Sequence, residues 1–120
     1  MIIGIHHTQI RIPTGMEKQA REFYCGVLGL KEIPKPLSLH GRGGFWLEVG
    51  DQQVHVGIED SVDRNMTKSH VAYEVNDLSL WRGQLAANKI ETISGEPIPG
   101  YDRFEFRDPF GNRLEMIQKL

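Results

Sequence analysis

The chain has 120 residues, enough for one domain or for two small modules that share a core. Its 14 Lys and Arg against 16 Asp and Glu give a formal charge of −2, which leaves no basic excess to neutralise phosphates and argues against nucleic acid as a partner. One cysteine, Cys25, excludes an intrachain disulfide, no apolar run is long enough for a membrane span, and Met1-Ile2-Ile3-Gly4 lacks a secretion-signal pattern, so a soluble cytoplasmic domain is expected.

Ile5 to Ile12 is rich in β-branched residues and stops at Pro13, as a strand entering a turn does. Thr14 and Glu17 have the spacing of a capping box. Behind them Ala20, Phe23, Tyr24 and Val27 form one apolar stripe at helical period, closed by Gly29. A short strand is predicted from Leu30 to Ile33, then a glycine-rich loop from Ser38 to Gly44. Phe45 to Val49 and Gln53 to Ile58 read as a hairpin across Gly50-Asp51.

The polar run Glu59 to Lys68 is an internal boundary, after which the same order returns. Ser69 to Val75 predicts a strand, and Asn76 a cap for a helix bearing Leu78, Trp81, Leu85 and Ala86 that ends at Asn88. A short strand, Ile90 to Ser94, and a proline-bearing loop, Gly95 to Gly100, follow. Phe104 to Asp108 and Asn112 to Gln118 form a last hairpin across Pro109-Phe110-Gly111. The chain therefore reads as β-α-β-β-β written twice, an α+β fold. A single domain over residues 1–120 is expected, with modules at about 1–60 and 68–120 that should pack together, since neither alone can bury its sheet face.

Side chains alternate across a strand, so each predicted strand has two faces. Ile10 and Ile12 oppose His7, Gln9 and Arg11; Val54, Val56 and Ile58 oppose His55; Val71, Tyr73 and Val75 oppose His70; Leu114 and Met116 oppose Glu115. His7 and His70 hold the same place in their modules, as do His55 and Glu115. Imidazole and carboxylate at four matched positions suit a divalent metal ion better than a wet sheet face, which Lys, Glu, Thr and Ser usually occupy. His6 is expected to point away from His7 and to be structural or hydrogen-bonded, and His40, in its loop, is a rim candidate.

At these residues the chain resembles the vicinal oxygen chelate superfamily, the glyoxalase I and bleomycin-resistance fold. The resemblance runs from residue 6 to residue 118, through His7-Thr8-Gln9-Ile10, Glu22-Phe23-Tyr24 to Val27-Leu28-Gly29-Leu30, Ser69-His70-Val71-Ala72 and Asp108-Pro109-Phe110-Gly111-Asn112-Arg113-Leu114-Glu115. It implies paired βαβββ modules making a curved eight-stranded mixed sheet around a metal-lined cleft. It also implies His7, His55, His70 and Glu115 as ligands of one divalent ion (Zn, Ni, Fe, Mn or Co). His7, His70 and Glu115 match the superfamily's set of two histidines and one carboxylate, while His55 stands where glyoxalase I has a glutamate that is both ligand and base.

The implied activity is that of a metal-dependent lyase, isomerase or dioxygenase acting on a small oxygen-rich molecule through bidentate chelation, with His55 or Glu115 moving protons. Gln9 and Arg11 beside His7, Trp46, and Tyr101 and Arg103 ahead of the last hairpin are the candidate substrate contacts. A homodimer is implied as well. The alternative is a metal-free protein that sequesters a small molecule, as bleomycin-resistance proteins do.

Overall fold

The first and last strands of each half of the chain run side by side and parallel, which requires a crossover between them and puts both at one edge of a sheet. The computed structural model describes residues 1–120. They divide into two compact units, Met1–Val62 and Asp63–Leu120, each with one four-stranded mixed sheet and a few helical segments, so the doubled βαβββ order is present.

In the first unit β1 (His7–Ile12) leads to α1 (Glu17–Arg21), then β2 (Lys31–Ile33), β3 (Phe45–Val49) and β4 (Gln52–Ile58). The sheet order is β1-β4-β3-β2, with β1 parallel to β4 and the other pairs antiparallel. Phe45 faces Val56 and Leu47 faces Val54 across β3 and β4, and all four are buried together with Ile12, Phe23 and Tyr24. These alternate residues are the apolar side of the sheet, whose burial supplies most of the unit's stabilisation.

In the second unit a short 3-10 turn (Arg64–Met66) precedes β5 (His70–Glu74), α2 (Leu78–Ala87), β6 (Ile93–Ser94), β7 (Tyr101–Arg107) and β8 (Arg113–Lys119). The order β5-β8-β7-β6 repeats that of the first sheet. Phe104 opposite Met116 and Phe106 opposite Leu114 form the apolar side, over which Leu78 and Leu85 of α2 are buried. No helix is long and apolar enough to cross a membrane.

Several local expectations are corrected. Thr14 does not cap α1, because its hydroxyl and its amide both donate to the Asp60 carboxylate; the helix starts after Met16 with no side-chain cap. Beyond Arg21 the helix widens into a π-helical segment, Glu22–Val27, in which Leu28 N donates to Phe23 O. The five-residue spacing buries Leu28 after Phe23, whereas the α-helical period had selected Val27, which is only half-buried.

Leu37–Arg42 forms a 3-10 helix where a loop was expected, tied by the His40 ring to the Lys35 carbonyl. Asp77, not Asn76, caps α2, accepting from Leu80 N, while Gln118 of β8 accepts from Leu78 N. Ala86, placed in the α2 stripe, is exposed. Tyr101 and Arg103 lie within β7 instead of ahead of it.

Gly44 enters β3 at φ +78°, and a Cβ there would sit 2.0 Å from the Val56 carbonyl oxygen. Gly26, inside the π-helical segment, has open space where its Cβ would be. Gly44→Ala is therefore expected to cost ~3 kcal/mol or more, and Gly26→Ala to stay within ~1 kcal/mol of the parent chain, in urea unfolding followed by circular dichroism.

Candidate metal centre

The parallel register sets Gln9 beside His55 and, in the second sheet, Ala72 beside Glu115. His7 and His70 each lie two residues earlier, so both sheets make the same diagonal neighbour pair on their non-apolar face.

In the first unit this pair belongs to a column of rings. Trp46 and His55 stack with centroids 3.9 Å apart and planes 1° from parallel, and His55 stacks on His7 at 4.0 Å and 15°. Enclosed between two rings, His55 is buried, and that burial, followed by the neighbouring His7 and His6, lowers its pKa from 6.5 to about 4. Its Nε2 donates to Gln53 Oε1 at 2.8 Å, which leaves the lone pair on Nδ1.

His6 precedes the first pleated residue of β1, so the alternation that would turn it away does not apply. Its Nδ1 lies 3.0 Å from His7 Nδ1, so that one of the two rings donates at Nδ1 and the other accepts there. Gln9 and Arg11 continue the face beyond His7, and Arg11 also donates to the Ile58 carbonyl at 3.0 Å. Gly57 makes room for both, since a Cβ there would lie 2.6 Å from Gln9 Nε2 and 3.3 Å from Arg11 Nη1.

In the second unit the pair is polar and charged. His70 Nδ1 donates to the Lys68 carbonyl at 2.9 Å, the support that fixes a metal-binding histidine with its other nitrogen bare. That nitrogen, Nε2, stands 3.3 Å from Glu115 Oε1. Two lone pairs at such a separation repel unless a proton or a metal ion lies between them.

Glu115 is buried, and Glu105 faces it directly across β7 and β8. Opposed carboxylates destabilise a sheet unless cations intervene. Arg103 Nη1 fills that role, 2.7 Å from Glu115 Oε1 and 3.4 Å from Glu105 Oε1, and Arg113 pairs with the other Glu105 oxygen. The Arg113 hydrogen bond is the main reason the Glu105 carboxyl is held below its usual pKa. Arg103 is anchored by its Nε, which donates to the Glu96 carbonyl at 3.0 Å. Tyr101 lies exposed at the start of the same strand.

Of the residues singled out by sequence, His7, His55 and Trp46 come together in one unit, and His70, Glu115 and Arg103 in the other. The chain shows no group of three or more His, Cys, Asp or Glu side chains placed to hold one ion. The donors present, imidazole nitrogen and carboxylate oxygen, suit a first-row divalent ion, and the bare His70 Nε2 beside Glu115 fits such an ion directly. Sequence reasoning missed Gln53, Glu105 and the Lys68 carbonyl. Strand alternation already put Gln53 on the His55 side and Glu105 on the Arg103 side; no sequence signal marks a backbone carbonyl.

Two βαβββ units with these donors at equivalent strand positions define a glyoxalase-like protein. The chain belongs to the Glyoxalase/Bleomycin resistance protein/Dioxygenase superfamily, whose family model matches residues 4–116. Among solved structures it is similar to one described as a glyoxalase family protein from Bacillus anthracis, with 38% identity, TM-score 0.93 and coverage of 100% of this chain and 98% of that one. It shares its fold with the fosfomycin resistance protein FosX of Listeria monocytogenes (14% identity, TM-score 0.78, coverage 100% and 96%). The same holds for the lactoylglutathione lyase of Agrobacterium tumefaciens (18% identity, TM-score 0.73, coverage 96% and 92%). A comparison with curated proteins gave no match.

Because the unfolded chain binds a proton at His55 near pH 6.5 and the folded chain only near pH 4, this group makes stability fall as pH drops through that window. Above pH 6.5 its effect on pH dependence vanishes. Urea unfolding between pH 4 and 7 is expected to show this slope, and His55→Phe to flatten it.

Proposed function

We propose that the protein is a divalent-metal-dependent enzyme of its superfamily, a lyase, isomerase or dioxygenase acting on a small oxygen-rich molecule, with His7, His55, His70 and Glu115 as the metal ligands. The observation that carries this reading is the His70 ring, whose Nδ1–H is committed to Lys68 O while Nε2 faces the buried Glu115 carboxylate. A surface histidine at a wet sheet face has no need of such support.

A divalent ion bound there would supply Lewis-acid stabilisation of negative charge developing on the oxygens of a small oxygen-rich substrate. His70 offers Nε2 and Glu115 offers Oε1 for that ion. His55, neutral down to about pH 4, carries its lone pair at Nδ1, and release of the Gln53 hydrogen bond turns Nε2 into the alternative donor. A proton taken from substrate is received at His55 or at Glu115. Gln9, Arg11 and Arg103 supply hydrogen-bond donors for substrate oxygens, while Trp46 and Tyr101 supply aromatic edges. The working form in this reading is a cytoplasmic homodimer.

A metal-free sequestering protein is the second reading, favoured by one observation: Arg103 already neutralises Glu115. Titration calorimetry with Zn(II) or Ni(II) separates the two. One ion per chain is expected, with His70→Ala and Glu115→Ala each weakening binding by about a hundredfold or more. No uptake by the parent chain, or uptake that neither substitution changes, removes the enzyme reading.

A further inference from the structure

We infer that Arg103 is the resident counter-ion of Glu115 in the metal-free protein and that it passes to Glu105 when a metal ion takes the Glu115 oxygen. This rests on the reading of Glu115 as a ligand and goes beyond it, making Arg103 and Glu105 positioning residues that set how tightly the ion is held.

Arg103 Nη1 and His70 Nε2 converge on the same atom, Glu115 Oε1, at 2.7 and 3.3 Å. The guanidinium thus sits on the oxygen that would turn towards a metal beside His70, and an ion arriving there must compete with it. A partly buried arginine left without an anionic partner would be costly, so exchange needs a second anion within reach. Glu105 Oε1 is that anion, 3.4 Å from the same Nη1.

The geometry of Arg103 limits where else it can go. Its Nε is fixed on the Glu96 carbonyl, and its guanidinium lies so close over Gly95 that a Cβ there would be 2.7 Å from Cζ. Arg113 holds the far oxygen of Glu105 and keeps Oε1 directed at Arg103. His70, Glu115, Arg103, Glu105 and Arg113 therefore form an alternating row of donors and carboxylates, in which a short shift of one guanidinium changes the partner of Glu115 without leaving a charge unpaired.

The test is a double-mutant cycle on the full-length chain, read as the Kd for Zn(II) by calorimetry. Arg103→Gln removes the competitor and is expected to tighten binding about tenfold. Glu105→Gln removes the receiving anion and is expected to weaken binding about fivefold in the parent chain but less than twofold when Arg103 is already Gln. A purely electrostatic role for Glu105 predicts the same loss in both backgrounds, and that result overturns the exchange. Unchanged or weaker binding by Arg103→Gln overturns it as well.

Thermal unfolding supplies a second readout, linked to affinity by mass action but including the metal-free state. Metal-free Arg103→Gln, with two opposed carboxylates, is expected to melt below the parent, and saturating Zn(II) to raise its midpoint by more than the parent's; equal rises count against the exchange. If the parent binds Zn(II) and Glu115→Ala abolishes it while Arg103→Gln does not tighten it, this inference fails and the metal reading stands. If the parent takes up no ion, both fail.

Discussion

Everything at the candidate centre depends on the parallel pairing of the first and fourth strands within each unit. A parallel pair advances in step, so a residue on β1 and one two positions further along β4 remain diagonal neighbours on one face. β5 and β8 repeat the same offset. The apolar residues between them, Val54 and Val56 or Leu114 and Met116, are buried on the opposite face and pin the register. A slip of one residue would carry the imidazoles into the core and the valines out of it. The hydrophobic side of each sheet thereby aims the polar side, and the chemistry is held by the core.

The two units use that shared frame differently. The first packs neutral rings, and the Trp46–His55–His7 stack buries its histidine without any charged partner. The second buries a carboxylate, which low-dielectric surroundings tolerate only with cations close by. Arg103 and Arg113 answer that need around Glu115 and Glu105. Arg107 donates to the carbonyls of Arg64 and Gly111 and fastens the segment leading into β5 to the turn before β8. The ends of the strands that carry His70 and Glu115 are thus tied by the Arg107 side chain as well as by the sheet.

The order of elements along the chain, its doubling and the alternating faces of the strands were legible in the sequence, because alternation and β-branched content are local signals, whereas the sheet order and the parallel pairing were not. Helix detail was less so. The π-helical segment has no compositional mark, and a 3.6-residue period misassigns Val27 where Leu28 is buried. Capping positions went astray for a different reason: Thr14 is taken by Asp60, a partner 46 residues away that no local motif reveals. At the centre, residue types were readable but tautomers were not. Whether an imidazole offers Nδ1 or Nε2 is decided by Lys68 O, Gln53 and His6, partners known only once the chain is folded.

Gly57 and Gly95 each lie beneath a side chain of the polar face, Gln9 and Arg103, and neither has the backbone angle that would demand glycine for its own sake. Their small size serves another residue's pose. Such a pair evolves as a unit: a side chain at position 95 is harmful while Arg103 is present and becomes acceptable once Arg103 is replaced by something shorter. The same sign-changing epistasis applies to positions 57 and 9, where a Cβ would lie 2.6 Å from Gln9 Nε2. Among descendants of this sequence the glycine and the arginine should be lost together, and a line that keeps the arginine inherits the glycine with it.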